Sequence, residues 1–449
     1  MIIKYEIYSI MKKSTNDAIV VGFALFSMFF GAGNLIFPPF LGKTVGTHYL
    51  IAVFAFVLTA AGLPLMGVLA CAKCNGIFPD MAARVGKKFS VISSIILVIA
   101  IGPLLAVPRT ASTTFELSIR PFFPGASRLV SVTIYFIITY ALLYNQSSIV
   151  DTIGKILTPG LLVLLIVMIV KGIVSPMGNV IDTNATGVFP MSFVQGYQTM
   201  DAMTVTILSS LILGSFRDKG YKTYNDILKM TSKAGVIAVG GLAIIYGGLT
   251  VLGSQLSGIF PGKIERTELV VEISRRTLGN FGAVALAIVV ALACLTTAIG
   301  ITAASAQYFT KLSNYKIPYK VNAAVLSFAS IIVASMGVDN IVAFADPILQ
   351  VLYPITMIFI ITTLMGKLIP DNRIVALTIY VVLIVSFSSV VVSPTGINAD
   401  IPALKAFLDA LPLSSAGFAW LVPAIIALIV GKMIFKRNDL VDHSVTAEE

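Results

Sequence analysis

The chain has 449 residues, of which 57% are hydrophobic and 12% are charged, and its mean hydropathy is +0.95. Soluble domains carry about 25% charged residues, so this composition excludes an ordinary soluble protein and predicts one that crosses a membrane many times. The net charge of +10 does not indicate nucleic-acid binding, because an excess of basic residues in cytoplasmic loops is normal for a membrane protein.

Twelve apolar segments divide the chain, each near the length of about 20 residues that a membrane helix needs. They are 17–41, 48–72, 90–111, 129–147, 154–174, 189–214, 234–256, 281–308, 321–336, 341–366, 373–392 and 415–435. Most Lys and Arg residues fall on the side of this map that holds the two ends of the chain, so both termini are predicted to be cytoplasmic. No cleavable signal peptide is evident. The sequence MKKSTND from Met11 resembles a start, so residues 1–10 are expected to be dispensable.

The first segment contains a predicted helix break at mid-membrane. Residues 27–40 read SMFFGAGNLIFPPF, with Gly31, Gly33 and Asn34 at the centre and two prolines behind them. Glycine weakens a helix and proline removes an amide donor, so the backbone here needs partners outside its own helix. In hydrocarbon, such groups occur only where protein buries them or where they line a cavity. This predicts a binding site made of backbone dipoles, with helix packing through the two glycines as the alternative interpretation. A dinucleotide fingerprint is not predicted, because GAGNLI lacks the third glycine.

The sixth segment is interrupted in the same way. Small or polar residues stand at its middle, namely Gly196, Gln198, Thr199 and Asp201. Two broken spans in corresponding positions are the best sequence indication of an inverted-repeat transporter. We therefore predict an all-α polytopic membrane protein. Its parts are a cytoplasmic segment at 1–16, a first five-helix repeat at 17–174, a second, inverted repeat at 189–366, two extra helices within 373–435 and a cytoplasmic tail at 436–449.

Asp201 is the most costly residue of the second break, since a carboxylate at bilayer depth costs a few kcal/mol unless it is paired or faces water. Two compatible roles stay open for it. It can cap the half-helix that follows by accepting hydrogen bonds from backbone N–H groups, or it can contribute to an ion site.

The eighth segment supplies adjacent hydroxyls, Thr296 and Thr297, at mid-span. Threonine in a membrane helix usually donates a hydrogen bond to a carbonyl in the preceding turn, which is the alternative to ligand binding. Beside a broken first span, two hydroxyls and several carbonyls are suitable ligands for a hard monovalent cation such as sodium.

Three further features carry predictions of their own. Pro103 and Pro108 are expected to bend and end the third span, with Arg109 as an anchor at the outer interface. Residues 263–279 are predicted to form an amphipathic helix lying on the outer face. Asp346 and Pro347 are expected to interrupt the tenth span and are candidates for an external gate.

Catalytic and metal-binding patterns are not found. Cys71, Cys74 and Cys294 are predicted to be free thiols, because the only histidines are His48 and His443 and a zinc site needs about four ligands. The spans contain no GxSxG motif, paired carboxylates or histidine cluster, so the protein is not expected to be an enzyme.

Three separated motifs resemble the bacterial branched-chain amino acid:cation symporter family. They are FFGAGNLIFPPFLG at 29–42, GPLLAVPRTA at 102–111 and GYQTMDA at 196–202, and their order and spacing agree with the family. The resemblance runs over essentially all twelve spans. It implies cation-driven uptake of leucine, isoleucine and valine across the bacterial cytoplasmic membrane, in a leucine-transporter-like fold.

The resemblance also implies which residues form the sites. For the substrate they are the unwound backbone at Ala32, Gly33 and Asn34 and the residues Phe193, Tyr197, Gln198 and Thr199. For sodium they are Ser27, Phe30, Ala293, Thr296 and Thr297. Asn34 falls where relatives hold a second sodium ion, but its spacing to Pro38 differs by one residue and Asp201 has no obvious counterpart. From the residues themselves, Ile101 and Ile299 are expected to help Phe193 and Tyr197 enclose an aliphatic side chain.

Sodium is favoured over a proton as the coupling ion, because hydroxyls and carbonyls do not titrate. Lys155 near the start of the fifth span keeps proton coupling open, for the same or another small hydrophobic solute, and a channel is a more distant alternative. The coupling ion is the only cofactor expected. The predicted partners are the amino acids and the lipid bilayer, without nucleic acid, and protein partners are left open.

Overall fold

The computed structural model describes the backbone of residues 2–145, 148–221 and 223–435, with side chains for all of these except 2–14, 27, 144–145, 148–158 and 210–211. These ranges form helices joined by turns. The helices are α1 (Ile2–Phe29), α2 (Ala32–Val45), α3 (Tyr49–Val57), α4 (Leu63–Cys74), α5 (Phe78–Ala82), α6 (Lys87–Ile99), α7 (Ala106–Thr114), α8 (Arg128–Asn145), α9 (Ser148–Val174), α10 (Val188–Gln195), α11 (Asp201–Asp218), α12 (Tyr224–Ser254), α13 (Arg266–Leu312), α14 (Tyr319–Ala334), α15 (Val338–Met365), α16 (Asn372–Val392), α17 (Pro402–Asp409) and α18 (Leu421–Ile434).

Several helices are long and apolar enough to cross a membrane. Six helical stretches meet this test by length and composition, at 32–74, 87–119, 224–254, 266–312, 338–368 and 372–392. A bent pair, 188–209 and 212–218, meets it jointly, and shorter apolar helices lie at 15–26, 128–143, 159–174, 319–334 and 421–434. Large apolar side chains such as Phe23, Phe54 and Phe281 are exposed on the outside of the bundle, as expected of a surface that faces lipid.

Each of the twelve predicted segments coincides with one of these helices or with a pair of them. The all-α polytopic fold is therefore confirmed, while the number of crossings and the inverted repeat stay predictions. The third span bends at Gly102, where φ is −72° and ψ is −106°, as expected beside Pro103. Two other expectations are wrong. The third span does not end at Pro108 but continues through a wide π-helical turn as far as Ile119. Helix α15 runs without a break through Pro347.

The predicted amphipathic helix before the eighth span is present. It begins at Arg266 and turns at Gly279, where φ is +69°, before the long apolar part of α13. Leu269, Val270 and Ile273 are buried in the main apolar cluster, whereas Glu268, Arg275 and Arg276 are exposed. Its position on the outer face of the membrane stays a prediction.

Two glycines clamp α2 to α12. A Cβ atom on Gly253 would lie 1.9 Å from the Pro39 carbonyl oxygen, and one on Gly42 would lie 1.9 Å from the Thr250 carbonyl oxygen. Only glycine permits such backbone contact, which is the small-residue packing typical of membrane helices. The second half of the first span is thereby held against the seventh span, and this rigid contact positions the helix break that precedes it.

Candidate functional site

The first span is broken between α1, which ends at Phe29, and α2, which begins at Ala32. In a continuous helix the Gly31 N–H would donate to the Ser27 carbonyl. Here the Gly31 N–H donates to Asn34 Oδ1 at 3.1 Å instead. The carbonyls at the end of α1 and the first N–H groups of α2 are therefore left without helical partners, as at any pair of helix ends. The predicted break is therefore present, but it is shorter than expected, because Ala32, Gly33 and Asn34 form the first turn of α2 instead of unwound backbone and Pro38 and Pro39 lie inside that helix. That this break binds a ligand stays a prediction.

Packing does not explain both glycines of this break. A Cβ atom on Gly31 would meet nothing closer than 3.7 Å, and its φ of −109° suits any residue. A Cβ atom on Gly33, in contrast, would lie 2.8 Å from Arg109 Nη2 and 3.2 Å from Phe37 Cε2. A methyl group on Gly33 would therefore have to displace the guanidinium group, whereas Gly31 has room for a methyl group.

The Asn34 side chain joins the two broken spans. Its Oδ1 caps α2 through the Gly31 N–H, which leaves the amide Nδ2 to donate to Asp201 Oδ2 at 2.6 Å and to the Tyr246 hydroxyl. Asn34, Asp201 and Tyr246 are all buried. A residue of the first break is thus bonded directly to a residue of the second break and to α12. Asp201 receives the Asn34 amide, and the described hydrogen bonds to it include none from a backbone N–H of α11.

The second break is a short 3₁₀ turn, Gly196–Thr199, followed by Met200 in the left-handed region at φ +61°. That conformation is costly for a residue with a side chain and is found mostly at functional sites. A Cβ atom on Gly196 would lie 2.7 Å from Thr59 Cβ, so this turn rests directly on the wide turn Leu58–Gly62 of the second span.

Arg109 is buried, with 3% of its surface exposed. Its expected role as an anchor at the outer interface is wrong, because the helix continues past it and other spans enclose it. The guanidinium lies over the Phe37 ring, with Cζ 5.3 Å from the ring centroid. Its Nε and Nη1 atoms have no hydrogen-bond partner. An intramembrane charge is a functional-site signal in its own right, and this signal was available in the sequence.

These groups surround an inner cavity of about 30 Å³. It is lined by Met28, Gly31, Ala32, Gly33, Asn34, Ala106, Arg109, Thr110, Thr199, Asp201, Thr204, Thr297 and Ile301. The volume suits one or two water-sized species, so this conformation is closed around the helix breaks. Of the predicted substrate residues, the structure brings Ala32, Gly33, Asn34 and Thr199 to this cavity.

The predicted sodium ligands come from two spans that meet here. Thr296 and Thr297 both donate to the Ala293 carbonyl at 2.9 Å, the local bond that threonine usually makes, and each hydroxyl oxygen keeps lone pairs free. Thr297 lines the inner cavity, and its Cγ2 would lie 3.8 Å from a Cβ on Gly31. Thr296 is not among the lining residues. Phe30 is buried directly before the break, and the side chain of Ser27 lies outside the described residues.

The other predicted substrate residues lie on the far side of the second break. Phe193 packs edge-on against Phe418, and Tyr197 stacks on Tyr353 with ring centroids 4.4 Å apart. Gln198 donates to Asp346 Oδ1 at 3.2 Å. Ile299 belongs to a separate apolar cluster with Leu143 and Leu326, while Ile101 and Ile301 line a small neighbouring cavity.

Tyr197 faces a second, much larger space that we call the vestibule. It has a volume of about 620 Å³ and lies between α10, α15, α16, α17 and the start of α18. Its lining residues Tyr197, Ser386 and Trp420 each have a buried polar atom without a hydrogen-bond partner. The two extra helices, which the sequence placed outside the repeat, therefore form part of a wall next to the second break.

Broken helices that meet around buried polar groups, within an all-α polytopic bundle, define the class of secondary transporters with discontinuous spans. Solved structures share this fold. The nucleobase–cation symport transporter Mhp1 in its inward-facing conformation aligns with a TM-score of 0.63 over 93% of this chain and 90% of Mhp1, at 12% identity. A manganese transporter of Eremococcus coleocola aligns with a TM-score of 0.58 over 94% of this chain and 96% of that protein, at 13% identity.

The chain belongs to the branched-chain amino acid transport protein family, whose sequence profile matches residues 14–438. A protein of Staphylococcus haemolyticus named as a branched-chain amino acid carrier is 37% identical over 96% of this chain and 99% of its own. The branched-chain amino acid permease BraB of Bacillus subtilis is 33% identical over 93% of this chain and 95% of its own. The resemblance noted in the three motifs is thereby confirmed.

Proposed function

We propose that this protein imports leucine, isoleucine and valine by sodium symport across a bacterial cytoplasmic membrane. The observation that carries the proposal is the hydrogen bond between Asn34 and Asp201, which joins the two helix breaks beside the small cavity that Thr297 also lines. Family membership supports amino acids as substrates, and the relatives named above are branched-chain amino acid carriers.

Sodium would bind where the end of α1 faces α13. The released carbonyls of Ser27 and Phe30, the Ala293 carbonyl and the Thr296 and Thr297 hydroxyls are neutral oxygen ligands that a small hard cation prefers. An ion held between these two helices favours one arrangement of the bundle, and a substrate that binds the same arrangement gains affinity by the same factor. Sodium and substrate would therefore enter together.

The membrane potential can drive this process. One charge moved inward gains about 2.3 kcal/mol per 100 mV, which corresponds to roughly 50-fold accumulation before any sodium gradient is added. With both termini cytoplasmic, as the distribution of basic residues predicts, the vestibule opens to the outside and the substrate reaches the second break from there.

The proposal is tested with purified protein in liposomes. Uptake of labelled leucine should require external sodium, should rise with an inside-negative potential and should survive a protonophore. Uptake without sodium that a protonophore abolishes would instead establish proton coupling, for which Asp201 is a titratable candidate; the side chain of Lys155 lies outside the described residues. Accumulation against a gradient and counterflow would exclude a channel.

Competition between amino acids for uptake tests the proposed apolar pocket. Leucine, isoleucine and valine should displace one another with modest differences, because one methylene in an apolar pocket is worth about 1–3 kcal/mol. Glutamate and lysine should not compete, since their additional charge would lie next to Ile101 and Ile301. Equal competition by glutamate or lysine in the same uptake assay would contradict this assignment.

A further inference from the structure

Arg109 is a buried cation in which two of the three side-chain nitrogen atoms have no hydrogen-bond partner. It has 3% of its surface exposed, and it takes part in none of the ion pairs formed by the described residues. Nε and Nη1 have no partner, although each is a donor in a planar fork that matches a carboxylate. A buried charge without a direct partner is strongly destabilising. Its retention here therefore calls for a ligand that arrives from the cavity.

The position of Arg109 is defined by the first break. The Phe37 ring lies under the guanidinium, and Gly33 lets Nη2 come so close that a Cβ there would be 2.8 Å away. The first N–H groups of α2 lie on the same side of the cavity and carry the partial positive charge of a helix N-terminus. The cavity thus has a positive wall made of a guanidinium and backbone donors.

The opposite charge is supplied by the second break. Asp201 lines the same cavity and attracts Arg109 electrostatically, but its close contact is the neutral Asn34 amide at 2.6 Å. Asn34 donates to Oδ2 and the Thr199 hydroxyl lies beside the same carboxylate, while none of the described hydrogen bonds ends on Oδ1. Two opposite charges face one small space and do not neutralise each other by contact.

We propose that Arg109 binds the carboxylate of the transported amino acid and that Asp201 binds its ammonium group. This inference rests on the proposed function and deepens it, because it makes the site selective for zwitterions. The cavity must widen to admit an amino acid, and the aliphatic side chain then points towards Ile301. This pair, which we call the clamp, explains why two of the most costly residues for a membrane interior face the cavity beside the helix breaks.

The test pairs protein variants with ligands that lack one charged group. Binding of labelled L-leucine to detergent-purified protein is measured in competition with L-leucinamide, which lacks the carboxylate, and with 4-methylpentanoate, which lacks the amine. In the wild-type protein both analogues should bind about 100-fold more weakly than leucine, because each leaves one buried charge unpaired. In Arg109→Gln, leucine should weaken to the level of leucinamide, while leucinamide itself binds as well as before or better.

The complementary variant is Asp201→Asn. It should remove the difference between leucine and 4-methylpentanoate and leave the difference between leucine and leucinamide. Arg109→Lys, which keeps the charge without the fork, should lose about tenfold in leucine affinity. Arg120→Gln is a matched control, since Arg120 is partly exposed and pairs with Glu265 away from the cavity.

The outcomes distinguish a failure of the Arg109–Asp201 clamp from a failure of the proposed transport function. If Arg109→Gln weakens leucine and leucinamide in parallel, Arg109 stabilises the fold and the clamp is overturned. The clamp is also overturned if the variant keeps its full preference for leucine. If the folded wild-type protein binds no branched-chain amino acid in sodium, the proposed function itself fails, whatever the variants show.

Discussion

The inner cavity and the vestibule lie on opposite sides of the same four-residue turn and differ in almost every respect. Thr199 faces the inner cavity of about 30 Å³, and Tyr197 faces the vestibule of about 620 Å³. The inner cavity is lined by a buried cation, a buried carboxylate and the ends of a broken helix. The vestibule is lined by neutral hydroxyls and an indole, with Lys405 and Asp409 exposed on α17. From this difference we expect that substrate is selected in the inner cavity and that the vestibule serves passage.

The largest expected effect is the difference in uptake between variants of the two glycines that line the inner cavity. Gly33→Ala should abolish uptake, because its methyl group would displace the Arg109 guanidinium or the Phe37 ring. Gly31→Ala should keep substantial uptake, because a methyl group has space there. Both effects are measured as leucine uptake by membranes that contain equal amounts of the two variants. Equal loss in the two variants would favour a general need for helix flexibility over the specific contact with Arg109.

A second, smaller effect concerns the cation. Thr297→Val should raise the sodium concentration for half-maximal uptake about tenfold, since a ligand oxygen is lost, with little change in leucine affinity at saturating sodium. Thr296→Val should raise it less, because Thr296 does not line the inner cavity. Measuring leucine uptake over a range of sodium concentrations tests whether Thr297→Val has the larger effect. A uniform loss of uptake with unchanged sodium dependence would place the cation elsewhere.

The smallest effect is expected in the vestibule. Trp420→Phe removes the unpartnered indole N–H and keeps the aromatic wall, so it should change the leucine KM by only about threefold. Sodium dependence should stay as in the wild-type protein. If Trp420→Phe lost as much uptake as Gly33→Ala at equal expression, the contrast between the two cavities would be wrong. The vestibule would then take part in substrate selection.

The sequence by itself determined the features that depend on local chemistry. Hydropathy places the helices, because burying about 20 apolar residues in lipid needs no knowledge of neighbours. The glycines at positions 31 and 33 indicated the helix break to within a few residues of Phe30 and Gly31, because glycine acts on its own backbone, whereas Pro38 and Pro39 do not interrupt α2. Asp201 and Arg109 were visible as charges inside spans, although only the first was interpreted as part of the site.

Only the tertiary structure decided which of these residues meet. Asn34 and Asp201 are 167 positions apart, and Asn34 and Tyr246 are 212 apart, so no local pattern indicates their contacts. Tyr197 and Thr199 were expected in one pocket, but the 3₁₀ turn and the left-handed Met200 direct them to different cavities. The burial of Arg109 likewise depends on the close approach of Gly33 from another helix. Helix formation follows from local backbone chemistry, whereas the partners of a side chain at mid-membrane follow from how distant helices pack.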